Sequence, residues 1–253
     1  ADVLVDCVYS NEINFNDTCQ FNELPLIAQD TTSPTIDDIM DRVVVSHQWM
    51  GARFKTFLET YDVNNDFKSL LRATTAIVIS YDVRPSFYWA ATGAIYLDPD
   101  NLWLLKSERD TINEAPDFRA DFGNDLSFAM LWRYVNKNEY AYSFVDENVR
   151  LDRVAEDGLY RLASLLYHEL AHANDFFPSA QWATHNVNTR ILDAAVNINT
   201  PQSNGLTIAY PLQSQEMKNL AQVSFHGESA SDNQKSYLPA DVANFFKQDS
   251  APQ

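Results

Sequence analysis

Six glycines in 253 residues leave no room for a collagen-like repeat or a glycine-rich linker. Cysteine is almost absent too: Cys7 and Cys19 stand alone, and their spacing lacks the short Cys-x-x-Cys form of a thiolate zinc pair. No run of eighteen apolar residues occurs, so no segment reads as a transmembrane helix. Basic residues are outnumbered, 18 against 35 acidic, giving a net charge of −17. A field of that sign repels phosphate backbones and argues against a nucleic-acid partner. Its simplest meaning is a solvated acidic surface of the kind exported or salt-tolerant proteins carry; little supports a role in attracting basic substrates. Internal repeats and low-complexity tracts are missing as well. What remains, 45% apolar and 21% charged residues, is globular composition.

The twelve-residue separation of Cys7 and Cys19 suits a local disulfide closing a small loop. Such a bond implies an oxidising compartment, so the expected location is secreted, periplasmic or cell-surface. The alternative is two unpaired thiols. The chain begins at Ala1 rather than methionine, as expected after removal of a signal peptide, and Asp6 before Cys7 matches a lipidation site poorly. Asn16-Asp17-Thr18 fits a glycosylation acceptor, relevant only in a eukaryotic secretory route.

Punctuation divides the chain into residues 1–32, polar and irregular with Leu24-Pro25-Leu26-Ile27 as an anchor, and a single domain over 33–253. Ser33-Pro34 reads as an N-cap with proline at the first helical position. Ile36, Ile39, Met40, Val43, Val44 and His47 then form one apolar stripe that ends near Gly51. A second helix is expected from Asp66 to about Thr75, running into a buried strand over Ala76-Ile77-Val78-Ile79-Ser80. Gly93 to Pro99 reads as a short strand closed by an Asp-Pro turn. Leu126 to Val135 is a strand or an apolar helix, which periodicity does not separate.

The chemistry is concentrated in His168-Glu169-Leu170-Ala171-His172. From Asp152, a plausible N-cap, to Pro178, Val154, Leu159, Leu162, Leu166 and Leu170 recur near a 3.6-residue period. Two histidines four apart on a helix share one face, so their imidazoles can converge on one zinc ion at roughly 2.0–2.1 Å each. Glu169 is offset around the helix and can reach a zinc-bound water rather than the metal. The apolar neighbours Leu165, Leu166, Leu170 and Ala171 imply a buried helix rather than two surface histidines beside a solvated glutamate.

The nine residues HELAHANDF resemble the active helix of the zincins, the metallopeptidase superfamily built around His-Glu-x-x-His. The metzincin extension is absent, since the chain continues Ala173-Asn174-Asp175-Phe176-Phe177-Pro178; the resemblance is to gluzincin-like arrangements, whose third ligand is acidic and lies on a later helix. It implies an α+β, zincin-like fold: a small mixed sheet whose edge strand lies beside the active-site helix, then a mainly helical C-terminal part. It further implies His168 and His172 as zinc ligands and Glu169 as general base. In zincins the edge strand pairs with the substrate backbone, and Thr92 to Leu97 is the candidate for it, against an ordinary core strand.

A third ligand is needed. Glu216, in LQSQEMKNLAQV, lies 44 residues after His172; His226 and Glu228 follow, and the remaining alternative is a residue beyond Gln253. Asp175 better suits a second role, accepting a hydrogen bond from an imidazole. His185 reads as a surface or packed histidine. Tyr210 and His226 could donate to a developing oxyanion, although a structural role suits each better. The expectation is therefore a zinc-dependent metallopeptidase acting on a peptide or protein, with Zn²⁺ lowering the pKa of its water toward ~7 and Glu169 moving the proton without a covalent intermediate. The alternatives are an exported binding or assembly protein with a zincin-like fold and little turnover, or a zinc hydrolase of another amide or ester.

Overall fold

The computed structural model describes residues 2–10, 13–116, 118–128, 135–137, 139–140, 151–198, 201–211 and 213–246. Most of the expected strand or helix at Leu126–Val135 falls at 129–134, outside the described residues. The chain groups into two compact units, one of residues 1–113 and 141–201, the other of 114–140 and 202–253. The stretch 33–253 contributes to both.

The first unit holds α1 (Asp2–Val8), α2 (Ile27–Asp30), α3 (Ile36–Met40), β1 (Val43–Val45), α4 (Gln48–Tyr61), α5 (Asp66–Leu71), β2 (Ile77–Ile79), β3 (Phe87–Trp89), β4 (Ala94–Leu97), α6 (Lys106–Arg109), α7 (Ala155–Phe176) and α8 (Ile191–Val196). Mixed α and β structure surrounds a four-stranded sheet of order β1-β2-β4-β3, parallel except for β3, which runs antiparallel to β4. β2 and β4 are buried at every position, as strands covered on both faces must be. Alternation sorts their side chains. Ile77, Ile79, Ile95 and Leu97 pack with Phe54 and Leu58 of α4, Leu71 of α5, and Leu162, Leu166 and Leu170 of α7. Val78, Ala94 and Tyr96 face the other way, against Val8, Phe21, Leu26 and Ile191.

Several local expectations are revised. The stripe from Ile36 to His47 is not one helix: α3 stops at Met40, and Val43-Val44-Val45 pair in parallel with Ile77-Val78-Ile79. Three consecutive β-branched residues lose χ1 freedom in a helix and suit a pleated surface, so the strand wins. The cap of α3 is Thr35 rather than Ser33: its hydroxyl accepts from Asp38 N at 3.1 Å, while the Asp38 carboxylate accepts from Thr35 N at 2.7 Å. The Thr35 hydroxyl also donates to that carboxylate at 2.6 Å, and this bond, with the backbone one, holds the Asp38 carboxyl below its usual value. Gly51 lies inside α4.

The first 32 residues are less irregular than their polarity suggests. Cys7 and Cys19 form a disulfide. α1 is then pinned to the sheet, with the Tyr96 hydroxyl donating to Val8 O at 2.7 Å and the Tyr9 and Ser80 hydroxyls 2.8 Å apart. Thr92 to Leu97 contains the expected strand, but that strand lies inside the sheet between β2 and β3. The exposed edge beyond β4 is β3, in a segment with no alternating pattern of its own.

The described residues of the second unit form a short hairpin, β5 (Val135–Asn136) with β6 (Glu139–Tyr140), and the helices α9 (Gln202–Ala209), α10 (Gln215–His226), α11 (Asp232–Lys235) and α12 (Pro239–Phe246). Among the described residues, no helix is long and apolar enough to cross a membrane.

Candidate metal centre

α7 is 22 residues long and carries its apolar stripe at Leu162, Leu166, Leu170 and Ala173, all buried. The i, i+4 spacing lays these side chains along one line against the sheet. Burying three leucines contributes on the order of 1.5–3 kcal/mol each. The helix starts after Val154, whose N–H donates to the Asp157 carboxylate at 3.0 Å. Asp152, the expected cap, instead accepts from Lys106 N at the start of α6, at 2.8 Å. The helix ends before Pro178, as the sequence requires. Asn174, just past the motif, ties α7 to α5 by donating to Leu70 O at 3.0 Å.

This register splits the motif between two environments. His168 and His172 are exposed, and so is Ala171, against the expectation of a wholly buried segment. Glu169 is 5% exposed and faces the sheet. Nε2 of His168 and Nε2 of His172 lie 3.2 Å apart. Nitrogen ligands at roughly 2.0–2.1 Å on tetrahedral zinc are separated by about 3.3–3.4 Å, so the pair suits two corners of such a site. At the same distance one ring N–H can donate to the other ring's lone pair. The residues present therefore fit zinc at two positions.

Glu169 has its own surroundings. Burial pushes the Glu169 carboxyl above its usual value; the His168 and His172 rings and the backbone N–H of Tyr88 pull it down without cancelling that effect. Tyr88 belongs to β3, and its ring also stacks on Phe176 of α7, with centroids 5.8 Å apart. The edge strand thus touches the glutamate through its backbone. Sequence reasoning missed Tyr88, because only strand pairing places it beside α7. The Tyr88 hydroxyl is buried without a hydrogen-bond partner among the described residues.

The third ligand is not found in this way. Among the described residues, no group of three or more His, Cys, Asp and Glu side chains is placed to hold a metal ion. Asp175 lies in the last turn of α7 and is half-buried. Glu216 sits in the first turn of α10, where its carboxylate accepts from Gln234 Nε2 at 3.0 Å and Asn219 Nδ2 at 3.1 Å. His226 ends the same helix, Glu228 follows its Gly227 cap, and Tyr210 follows α9; all three are exposed residues of the second unit. His185 is a packed histidine, stacked on Phe21 at 5.1 Å and edge-on to Phe177 at 5.7 Å. Burial lowers its pKa.

Comparison with family models, curated proteins and solved structures returns no match for this chain. The functional argument therefore rests on the helix and the strand beside it.

Proposed function

We propose that the chain is a zinc-dependent metallopeptidase of zincin-like, gluzincin-type design. The observation that carries this reading is the 3.2 Å approach of the His168 and His172 Nε2 atoms, one turn apart on an exposed helix face, with a buried carboxylate between them in sequence. Zinc bound there would supply a Lewis acid that polarises a scissile carbonyl and acidifies water. His168 and His172 would hold it. Glu169 takes a proton from water at its carboxylate and passes it to the leaving amine. β3, antiparallel at the sheet edge and in contact with α7 through Tyr88, is the strand along which an extended peptide would lie. The disulfide supports an oxidising compartment as the working environment.

The test is zinc stoichiometry in protein purified without chelator, read beside cleavage of an unfolded protein substrate. One zinc per chain is expected, with cleavage abolished and zinc retained in Glu169→Gln. Cleavage at the parent rate by that variant would remove Glu169 as the base. That no third ligand is placed beside the pair among the described residues favours a second reading, an exported binding or assembly protein without turnover; absence of both zinc and cleavage would select it.

A further inference from the structure

The hydrogen bonds of β4 fix which way the main chain of the edge strand faces. Ile95 N–H donates to Ala76 O at 3.2 Å, and Gly93 O accepts from Thr75 N–H at 2.9 Å, so alternate residues of β4 turn their main-chain groups toward β2. Ala94 and Tyr96 face β3 instead, where their register partners are Trp89 and Phe87. Those two residues spend their main-chain groups on the ladder. Tyr88, opposite Ile95, therefore turns its N–H away from the sheet, at an edge where such a group ordinarily meets water or another strand.

Here it meets the Glu169 carboxylate. The contact is reinforced from the same side of α7. Glu169 and Phe176 are seven residues, or about two turns, apart, and the Tyr88 ring stacks on Phe176 with centroids 5.8 Å apart. One residue of the strand thus grips the helix twice, by its main chain and by its ring. A donor carried on a sheet has no side-chain torsion through which to relax, so it holds the orientation of a buried carboxylate firmly. A carboxylate accepts at both oxygens, and the second is left to take a proton from water.

We propose that Tyr88 is a positioning residue for the base, holding the Glu169 carboxylate through its main-chain N–H. The role rests on the metallopeptidase reading; the contact does not, and two measurements separate them. In metal-free protein, the amide proton resonance of Tyr88 should move upfield in Glu169→Leu, while those of Phe87 and Trp89, bonded within the ladder, stay near their parent positions. Replacing Tyr88 by its α-hydroxy analogue puts an ester in the main chain, deleting the N–H while sparing the ladder and the ring. That variant should keep one zinc per chain and the parent KM on an unfolded protein, and lose kcat about tenfold to a hundredfold. An unmoved Tyr88 resonance would overturn the contact. Parent kcat in the ester variant, loss of its zinc, or a rise in KM with kcat unchanged would overturn the positioning role. A parent that neither binds zinc nor cleaves would remove the peptidase reading and that role together, with the resonance still reporting the contact.

Discussion

Asp98 offers the sharpest quantitative test of the fold, because burial costs its charge more than its neighbours return. It sits at the end of β4, 8% exposed. Burial raises its carboxyl from 3.8 to about 6; the Asp100 charge adds to the rise, while the Asp100 N–H, Arg161 and Arg84 oppose it. An acid with a raised folded pKa keeps its proton longer in the native state than in the unfolded chain. Stability therefore falls as pH climbs from about 4 to about 6, and the full cost is present above that range. A difference of about two units corresponds to about 2–3 kcal/mol. Asp98→Asn removes the charge and keeps the Oδ1 acceptor for Asp100 N, now bonded at 2.8 Å. The variant should gain about 2–3 kcal/mol at pH 8, or on the order of 4–12 °C in Tm, and almost nothing at pH 4. Thermal unfolding of parent and variant across that range is the assay. An equal shift at both pH values, or destabilisation at pH 8, would refute the assignment of the cost to ionisation.

Three further outcomes are expected. His168→Ala should change stability in chelator by no more than about 0.5 kcal/mol, since the ring is exposed, yet abolish the zinc-dependent stabilisation, which for the parent should reach about 2.7 kcal/mol at a hundredfold excess over Kd. Replacing both Cys7 and Cys19 by serine should cost about 3 kcal/mol in denaturant unfolding, the loop-closure value for a ring of this size, and the difference should vanish when the parent is reduced. Tyr88→Phe should hold or raise stability, by about 1 kcal/mol, because the deleted hydroxyl is buried without a hydrogen-bond partner among the described residues.

What could be read from the residues alone follows a physical divide. β2, β4 and α7 are legible because each is specified locally, by β-branched residues or by leucines at helical spacing, whereas α5 ends at Leu71 rather than near Thr75. The histidine pair is legible for the same reason, since four residues on a helix fix the geometry. The stripe from Ile36 to His47 is ambiguous locally, and it resolves into α3 and β1 only because Ile77–Ile79 offers a partner strand. The identity of the edge strand is a question of sheet order, which no local pattern in residues 87–97 encodes. The same holds for Tyr88 against Glu169, and for a second unit assembled from two separated stretches of chain.

The division of α7 between exposed histidines and a buried glutamate has a consequence for how this protein could change. On the proposed reading, metal affinity would be adjustable from the solvent side, where substitutions leave the packing alone. Glu169 is not adjustable in that way, because its carboxylate is buried against the sheet and accepts the Tyr88 backbone N–H. Any replacement there alters the packing of α7 and the edge strand together.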